Sequence, residues 1–297
     1  MQGFKNLVNL AKRHKKFPKL KQQPLAAKED RTIPIEPDTA YHIYNRGNDK
    51  QLIFFNNSNY AYFLDKYRAY MTGYWDTYAW VLMENHFHLV IRVKKEEEIL
   101  VSAMRDFKKV DRSFYHRNKT LIEEIIRIDS DKNIKDGTVV LRPTSSGSTT
   151  DLQGFENLVN LAKLHHPILL QELIIWAISE RFRRFMLGYA KAVNKQQERT
   201  GSLFQKIFKR KLLPSDDDVR NAICYVHHNP IHHDYTISYH QYRWSSYHNY
   251  ISKDETYSEY AKQLYSSLYH MIAAHDSYKN HKKEMNYRIS PNDSEDL

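Results

Sequence analysis

The clearest hydrophobic pattern in the chain is a strict alternation from His86 to Val93. A period of two predicts a β-strand in which every second side chain, beginning with Phe87, faces a core, while His86 and His88 face the other way. Two imidazoles at this spacing lie about 6–7 Å apart along a strand, close enough to bind one metal ion. An imidazole in an apolar strand needs a partner, so the pair predicts half of a metal site. The alternative is a chance pair in a chain with 16 histidines.

A helical pattern follows far downstream. Ser215 and Asp218 form a capping box, and Pro230 predicts that the helix ends near Asn229. Apolar residues recur at helical spacing and form one core-facing stripe: Val219, Ala222, Ile223 and Val226. Tyr225 and Asn229 lie one turn apart at the edge of this stripe. A phenol and a carboxamide are therefore expected to point toward the sheet that the helix covers.

The remaining patterns predict the architecture. A strand is expected near residues 41–49, ending in a Gly-Asn-Asp turn, with helices at 58–72 and 101–116 on either side of the histidine strand. Ser179 is expected to cap a long basic helix that Gly201 stops, followed by a basic strand at 202–211. This order predicts an α+β fold with a ferredoxin-like, split βαβ antiparallel sheet and helices on one face.

Composition changes along the chain suggest five segments. Residues 1–37 are a basic N-terminal arm, 38–116 the first part of a catalytic core, 117–177 an insertion, 178–252 the second part of the core, and 253–297 a polar, partly helical tail whose last residues are expected to be disordered. Residues 153–163 repeat residues 2–12 and differ only at Glu156, which replaces Lys5, so ten of eleven positions are identical. Two copies are too few for a solenoid, and three origins stay open: a recent duplication, a pair of equivalent docking helices, or an artefact of how the gene arose.

Composition also indicates the cellular compartment in which the protein is expected to work. The 297 residues include one cysteine, Cys224, which excludes an internal disulfide and suits a reducing cytoplasm. No apolar run is long enough to span a membrane, and the first residues lack the continuous apolar core of a signal peptide. The formal net charge is +10. We therefore expect a cytoplasmic, nucleoid-associated protein.

The positive charge is concentrated between residues 181 and 211, where ten Lys or Arg face one acid, Glu198. Such a run, interleaved with aromatics, is typical of phosphate binding and predicts a nucleic-acid partner. The candidate DNA-binding cations of this run are Arg183, Arg184, Lys191, Lys195, Arg199, Lys206, Lys209, Arg210 and Lys211.

Several other reactive residues have a plainer interpretation. Tyr189 could rival Tyr225 as a nucleophile, but it lies in an apolar helical stripe and is expected in the core. Cys224 is expected to be a buried structural thiol. The doublets His227-His228 and His232-His233 could form a zinc site, but the first doublet is expected to point toward solvent.

These motifs together resemble a known family. Asn85-His86-Phe87-His88 resembles the His-hydrophobe-His motif of the HUH endonucleases, and the run from Tyr225 to Pro230 resembles the tyrosine helix of the REP-associated tyrosine transposases within that superfamily. Residues 189–204 and the run from Trp244 to Tyr247 resemble the family in content and order. The match covers roughly residues 38–250, with an interruption.

The resemblance implies an activity. It implies a transposase or nickase in which Tyr225 forms a 5′-phosphotyrosine with single-stranded DNA next to a hairpin, while His86, His88 and Asn229 bind Mg²⁺ or Mn²⁺. It also places Arg46 and Asn48 in the region that contacts single-stranded DNA, with a simple turn as the alternative. A monomer and a homodimer that exchanges the tyrosine helix both stay open. The other functions to weigh are a hairpin-binding regulator of DNA or RNA without chemistry, and a hydrolase that uses water directly.

Overall fold

The computed structural model describes residues 33–107, 155–165, 167–252 and 254–281. Its centre is a four-stranded antiparallel sheet with strand order β2-β3-β1-β4. The strands are β1 (Ala40–Arg46), β2 (Trp75–Met83), β3 (His86–Val93) and β4 (Lys209–Leu213). This order, with β1 beside β3 rather than β2, is that of a split βαβ unit. The predicted α+β, ferredoxin-like sheet is confirmed.

Eight α-helices accompany the sheet in the described ranges. They are α1 (Asn57–Met71), α2 (Glu96–Asp106), α3 (Phe155–His165), α4 (Pro167–Gln196), α5 (Asp216–His232), α6 (Tyr247–Ile251), α7 (Glu255–Tyr265) and α8 (Leu268–His281). Helix α1 agrees closely with the expected 58–72. The helix expected at 101–116 begins earlier, at Glu96, and residues 108–116 lie outside the described part.

Helices cover both faces of the sheet, which corrects the expectation of helices on one face. Phe87, Leu89 and Ile91 of β3 belong to one core together with residues of α1 to α4. Val90 of the same strand belongs to a second core with α5 and the C-terminal helices. The sequence pattern of β3 did not predict this second core, because the polar side chains of His86 and His88 precede Val90 on that face.

The C-terminal segment is more than the polar tail that we expected. Ala261 and Leu264 of α7 and Met271 and Tyr278 of α8 are buried in the second core. Tyr265 donates a hydrogen bond to the backbone oxygen of Arg220 in α5. These helices therefore cover the outer side of α5 and hold it on the sheet. Residues 282–297, including the stretch expected to be disordered, lie outside the described residues.

The long helix α4 starts twelve residues before the predicted cap. Ser179 lies in its middle, and the helix crosses the expected boundary at 177/178. Leu169, Leu173 and Ile174 extend its buried stripe toward the N-terminus, which is why no cap is needed at Ser179. The second copy of the repeat lies partly in α3, where Leu158, Val159 and Ala162 are buried. The first copy lies outside the described part.

The basic strand is shorter and later than expected, at Lys209–Leu213 instead of 202–211. The segment before it forms an isolated bridge between Phe204 and Gly47 rather than a regular ladder. Gly47 allows a tight turn after β1, since a β-carbon there would clash with the backbone oxygen of Gln51.

Candidate active site

The two histidines of β3 lie on the sheet face that α5 covers. His86 and His88 are 2% and 1% exposed, and the ring centroids are 5.3 Å apart. Phe87 between them is fully buried on the opposite face. The alternation of the strand therefore separates the histidine pair from the core under α1 and α4, as predicted from the sequence.

Helix α5 begins with the predicted capping box. The backbone N–H of Asp218 donates to the hydroxyl of Ser215, and the backbone N–H of Ser215 donates to the carboxylate of Asp218. The helix does not end at Asn229, because Pro230 is accommodated inside its last turn and the helix continues to His232. Pro230 offers no N–H to the backbone oxygen of Val226, but the helical bonding resumes after it, since the backbone N–H of His233 bonds to the backbone oxygen of Asn229.

The predicted metal ligands and the predicted nucleophile lie together within one chain. The Oδ1 atom of Asn229 is 3.4 Å from Nε2 of His86. The ring of Tyr225 packs edge-on against His88, with ring centroids 5.8 Å apart. The side chains of Tyr225 and Asn229 are 4% and 0% exposed. The four side chains therefore form one cluster between β3 and α5.

The contacts of His86 indicate which of its two ring nitrogens carries the proton. Its Nδ1 lies 2.5 Å from Oδ1 of Asn85, whose own Nδ2 donates to the backbone oxygen of Lys50. The amide oxygen of Asn85 can only accept, so Nδ1 of His86 carries the proton and Nε2 carries a lone pair. This lone pair faces Oδ1 of Asn229, another acceptor. Two acceptors at 3.4 Å suit a cation that both coordinate.

His88 supplies a second nitrogen. Its Nε2 is buried and has no hydrogen-bond partner among the residues that the structure describes. Its Nδ1 lies 2.9 Å from Nε2 of His42. A buried imidazole nitrogen without a partner is costly unless a ligand satisfies it. Nε2 of His88 is thus the second candidate donor for a cation.

Burial keeps these imidazoles neutral. Desolvation, followed by the charge effects of His233 and Arg46, lowers the pKa of His86 to about 3. Desolvation and the Lys211 ammonium lower the pKa of His42 to about 3. The pKa of His88 also lies well below its ordinary value because of burial. Neutral imidazoles retain the lone pairs that metal binding requires.

The donor set fits a divalent cation with open positions. In the described part of the chain, no group of three or more His, Cys, Asp or Glu is placed to hold a metal ion. The third predicted donor is instead the amide oxygen of Asn229. Two imidazoles and one neutral oxygen leave positions for a phosphate and water, although imidazole alone would favour zinc over Mg²⁺ or Mn²⁺.

Three histidines at this site were not predicted to lie there, and two of them, His232 and His233, had been considered only for a separate zinc site. His42 lies on β1 and contacts His88. The His233 ring is 4.9 Å from that of His86, and the His232 ring is 5.8 Å from that of Tyr225. His42 alternates with core-facing Tyr41 and Ile43, so the period-two pattern of β1 could have indicated its face. No local pattern indicated the two histidines after Pro230.

Two of the predicted DNA-binding cations share the face of the site. Strand pairing places Lys211 opposite His42 and Lys209 opposite Tyr44, so both lysines follow the histidine side of β4. The ammonium of Lys209 lies 5.7 Å from the centre of the Tyr44 ring. Arg210 alternates to the other face, where its guanidinium lies over Phe208. Lys209 and Lys211 thus border the cluster on its β4 side.

The cations of α4 lie elsewhere, because α4 packs on the opposite face of the sheet. Arg183 and Arg184 are held by the buried carboxylate of Glu180, at 2.6 and 2.8 Å. Lys191 and Lys195 are exposed on the same helix. The structure does not bring these four residues to the histidine cluster.

The other predicted contacts lie around the end of β1. Arg46 is buried and pairs in register with His86. Asn48 is exposed in a 3₁₀ turn and bonds to Asp49. Arg199 donates to the side chains of Asn194 and Gln51, and Lys206 is exposed. Arg46 is the member of this group nearest in register to the metal ligands.

The plainer interpretations of Tyr189 and Cys224 agree with the structure. Tyr189 is fully buried and donates a hydrogen bond to the backbone oxygen of Ile53. Burial raises the pKa of Tyr189 well above its ordinary value. Cys224 is 4% exposed, and burial raises the pKa of its thiol to about 12. Neither residue is placed to act as a nucleophile.

His227 and His228 do not point toward solvent, which corrects the sequence-based expectation. They are 0% and 1% exposed because α7 and α8 cover them. Nδ1 of His275 donates to the backbone oxygen of Met271, so its Nε2 accepts from Nδ1 of His227 at 2.7 Å. Nε2 of His227 accepts from the hydroxyl of Ser246. The ring nitrogens of His227 are therefore both used within the protein, so His227 is not free to bind zinc.

Comparison with solved structures finds a chain described as a REP-associated tyrosine transposase bound to a REP hairpin. The similarity covers 76% of this chain and 87% of that chain, with a TM-score of 0.41 and 12% sequence identity. No protein-family model matches the sequence, and no curated protein matches it. At this level of similarity the likeness carries no functional argument.

None of the helices in the described ranges is both long and apolar enough to cross a membrane.

Proposed function

We propose that the chain is a metal-dependent transposase or nickase that cuts and rejoins single-stranded DNA beside hairpins through a 5′-phosphotyrosine. The observation that carries the proposal is the cluster of Tyr225, Asn229 and the two histidines of β3 between one helix and one strand. A hydroxyl beside two neutral imidazoles and a carboxamide suits phosphodiester chemistry. The resemblance of these motifs to those of HUH endonucleases supports the same proposed function.

The proposed reaction is an in-line displacement at phosphorus. The phenol oxygen of Tyr225 attacks the phosphate, the bond to the 3′ oxygen breaks, and a phosphotyrosine ester forms at the 5′ end. The phenol loses its proton, and the leaving 3′ oxygen gains one. Attack by a free 3′ hydroxyl on the ester reverses the step and joins strands. One ester replaces another, so joining requires no ATP.

His86, His88 and Asn229 would hold the divalent cation. When bound, Mg²⁺ or Mn²⁺ supplies a Lewis acid that offsets the charge growing on the phosphate. Residues of the chain itself would orient the ligands, position the nucleophile and exclude water. Asn85 orients His86, the capped helix α5 positions the phenol of Tyr225, and the covering helices exclude bulk water from the cluster.

Electrostatics favour a nucleic-acid substrate. Lys209 and Lys211 border the cluster, and their charge is suited to the phosphates on either side of the scissile one. The proposed partner is single-stranded or hairpin DNA. A DNA substrate and a single buried cysteine suit a cytoplasmic, nucleoid-associated protein.

The arrangement favours action in cis. The ring of Tyr225 lies beside His88 of its own chain, so one chain suffices to assemble the site. A monomer is therefore the proposed active form, and exchange of the tyrosine helix in a homodimer is the alternative. Mixing a Tyr225→Phe protein with a His88→Ala protein distinguishes them, since only exchange restores activity.

The direct test is trapping of the covalent product. Wild-type protein is incubated with a 5′-extended, 3′-labelled hairpin oligonucleotide and Mn²⁺, and a labelled band of protein mass is sought on a denaturing gel. We expect the adduct with wild type and none with Tyr225→Phe. The matched control is Tyr189→Phe, which removes a buried phenol distant from the cluster and should leave the adduct.

The same assay separates the alternatives. Binding without cleavage, in metal-free and Mn²⁺-loaded protein alike, favours the hairpin-binding regulator. Cleavage that leaves no protein attached favours a hydrolase that uses water. A covalent adduct that still forms with the Tyr225→Phe protein would exclude Tyr225 as the nucleophile.

A further inference from the structure

A third imidazole lies in contact with the proposed metal ligands. His42 on β1 is 4% exposed, and its Nε2 is 2.9 Å from Nδ1 of His88. The two rings are stacked, with centroids 5.1 Å apart and an interplanar angle of 22°. Register fixes the pair, because β1 and β3 are neighbours in which Tyr44 opposes His88 and His42 opposes Val90.

The contact requires one proton between two neutral rings. Either His88 donates from Nδ1 to His42, or His42 donates from Nε2 to His88. The two cases differ in the protonation of Nε2, the other ring nitrogen of His88. In the first, Nε2 of His88 carries a lone pair, whereas in the second it carries a hydrogen.

The surroundings of Nε2 distinguish the two cases. This atom is buried and has no hydrogen-bond partner among the described residues. An N–H buried there would lack an acceptor, whereas a lone pair could bind a cation shared with His86, whose ring centroid lies 5.3 Å away. The first case is also the one in which the nitrogen can bind a cation.

We propose that His42 is a positioning residue that accepts the Nδ1 proton of His88 and thereby holds His88 in the tautomer whose Nε2 faces the metal position. The inference rests on the proposed function, since it assigns the role of His42 to the same site. His42 itself touches no reacting atom in this role.

Two variants separate hydrogen bonding from packing. His42→Gln provides an amide oxygen that can accept the proton, whereas His42→Phe keeps a flat ring without an acceptor. Near-ultraviolet circular dichroism and thermal unfolding report whether each variant is folded. A role in packing alone predicts that Phe replaces His42 better than Gln does.

The first readout is the tautomer of His88 in metal-free protein, measured by long-range ¹H–¹⁵N NMR. We expect the Nδ1–H form in wild type and in His42→Gln, and a mixture or the Nε2–H form in His42→Phe. An Nε2–H form in wild type, or an unchanged tautomer in His42→Phe, overturns the proposal. This measurement needs no enzyme activity.

The second readout is the dissociation constant for Mn²⁺, measured by electron paramagnetic resonance. Loss of an orienting partner of a metal-bound histidine weakens affinity about 10- to 100-fold, which we expect for His42→Phe. His42→Gln should stay within about threefold of wild type by the same reasoning. Equal weakening in both folded variants overturns the proposal. Failure to form a Tyr225 adduct, with the tautomer as expected, refutes the proposed chemistry and leaves the role of His42 intact.

Discussion

The amide oxygen of Asn229 lies 3.4 Å from Nε2 of His86, although 143 residues separate them in the sequence. Neither atom can donate a proton to the other when Asn85 holds the Nδ1 proton of His86. Two facing acceptors in a buried site are costly without a donor or a cation between them, and a divalent cation would satisfy both.

Asn229 should control metal affinity. Asn229→Ala removes one oxygen donor, and we expect the dissociation constant for Mn²⁺ to rise by at least about tenfold. Asn229→Asp supplies a carboxylate, which Mg²⁺ and Mn²⁺ prefer, so its affinity should equal or exceed that of wild type. Isothermal titration with Mn²⁺ measures both. Asn221→Ala, two turns earlier on α5, is the matched control and should bind as wild type does.

Lys211 should contribute to binding of single-stranded DNA on the histidine face. Lys211→Gln removes one candidate phosphate contact, so the slope of log affinity against log salt should decrease in magnitude by about 0.7. Fluorescence anisotropy over a salt series measures the slope. Lys191→Gln removes the same charge from exposed α4, on the opposite face of the sheet. An equal decrease for both variants would mean that DNA also contacts α4.

Glu180 should stabilise the fold rather than the DNA complex. Burial alone raises the pKa of its carboxyl, but hydrogen bonds from Arg183 and Arg184 outweigh burial and lower it. Because both arginines are well exposed, we expect Glu180→Gln to reduce the free energy of unfolding by only about 1 kcal/mol. Urea denaturation measures the change. Asp65→Asn, at the exposed 3.7 Å pair with Arg68, should have a smaller effect.

His275 should make stability depend on pH. Burial lowers the pKa of His275 in the folded protein to about 4, from an ordinary value of 6.5. As pH falls below 6.5, the unfolded chain binds this proton first, so stability decreases down to about pH 4 and is fully retained above 6.5. The loss is on the order of 3 kcal/mol.

Denaturation curves of wild type and His275→Gln at pH 7 and pH 4.5 test this expectation. The variant lacks the titrating imidazole, so its stability should change less between the two pH values. The absolute stability of the variant is expected to be lower, since the amide replaces only part of the hydrogen bonding to His227 and Met271. An equal pH dependence in both proteins would contradict the assignment.

Local patterns were sufficient for the elements that carry the site. The alternation of β3 placed His86 and His88 on one side, and the spacing of Tyr225 and Asn229 placed both on one edge of a capped helix. Periodicity is reliable here because it depends only on the geometry of a single strand or helix. The order of elements was also sufficient for the ferredoxin-like sheet.

Tertiary structure decided the rest. The contact between His42 and His88 depends on the register of β1 against β3, which neither strand specifies alone. The burial of His227 depends on α7 and α8, which pack over α5 from a segment whose composition indicated a polar tail. Sequence patterns report which side of an element avoids water, whereas the identity of the neighbour that covers it is a property of the whole packed chain.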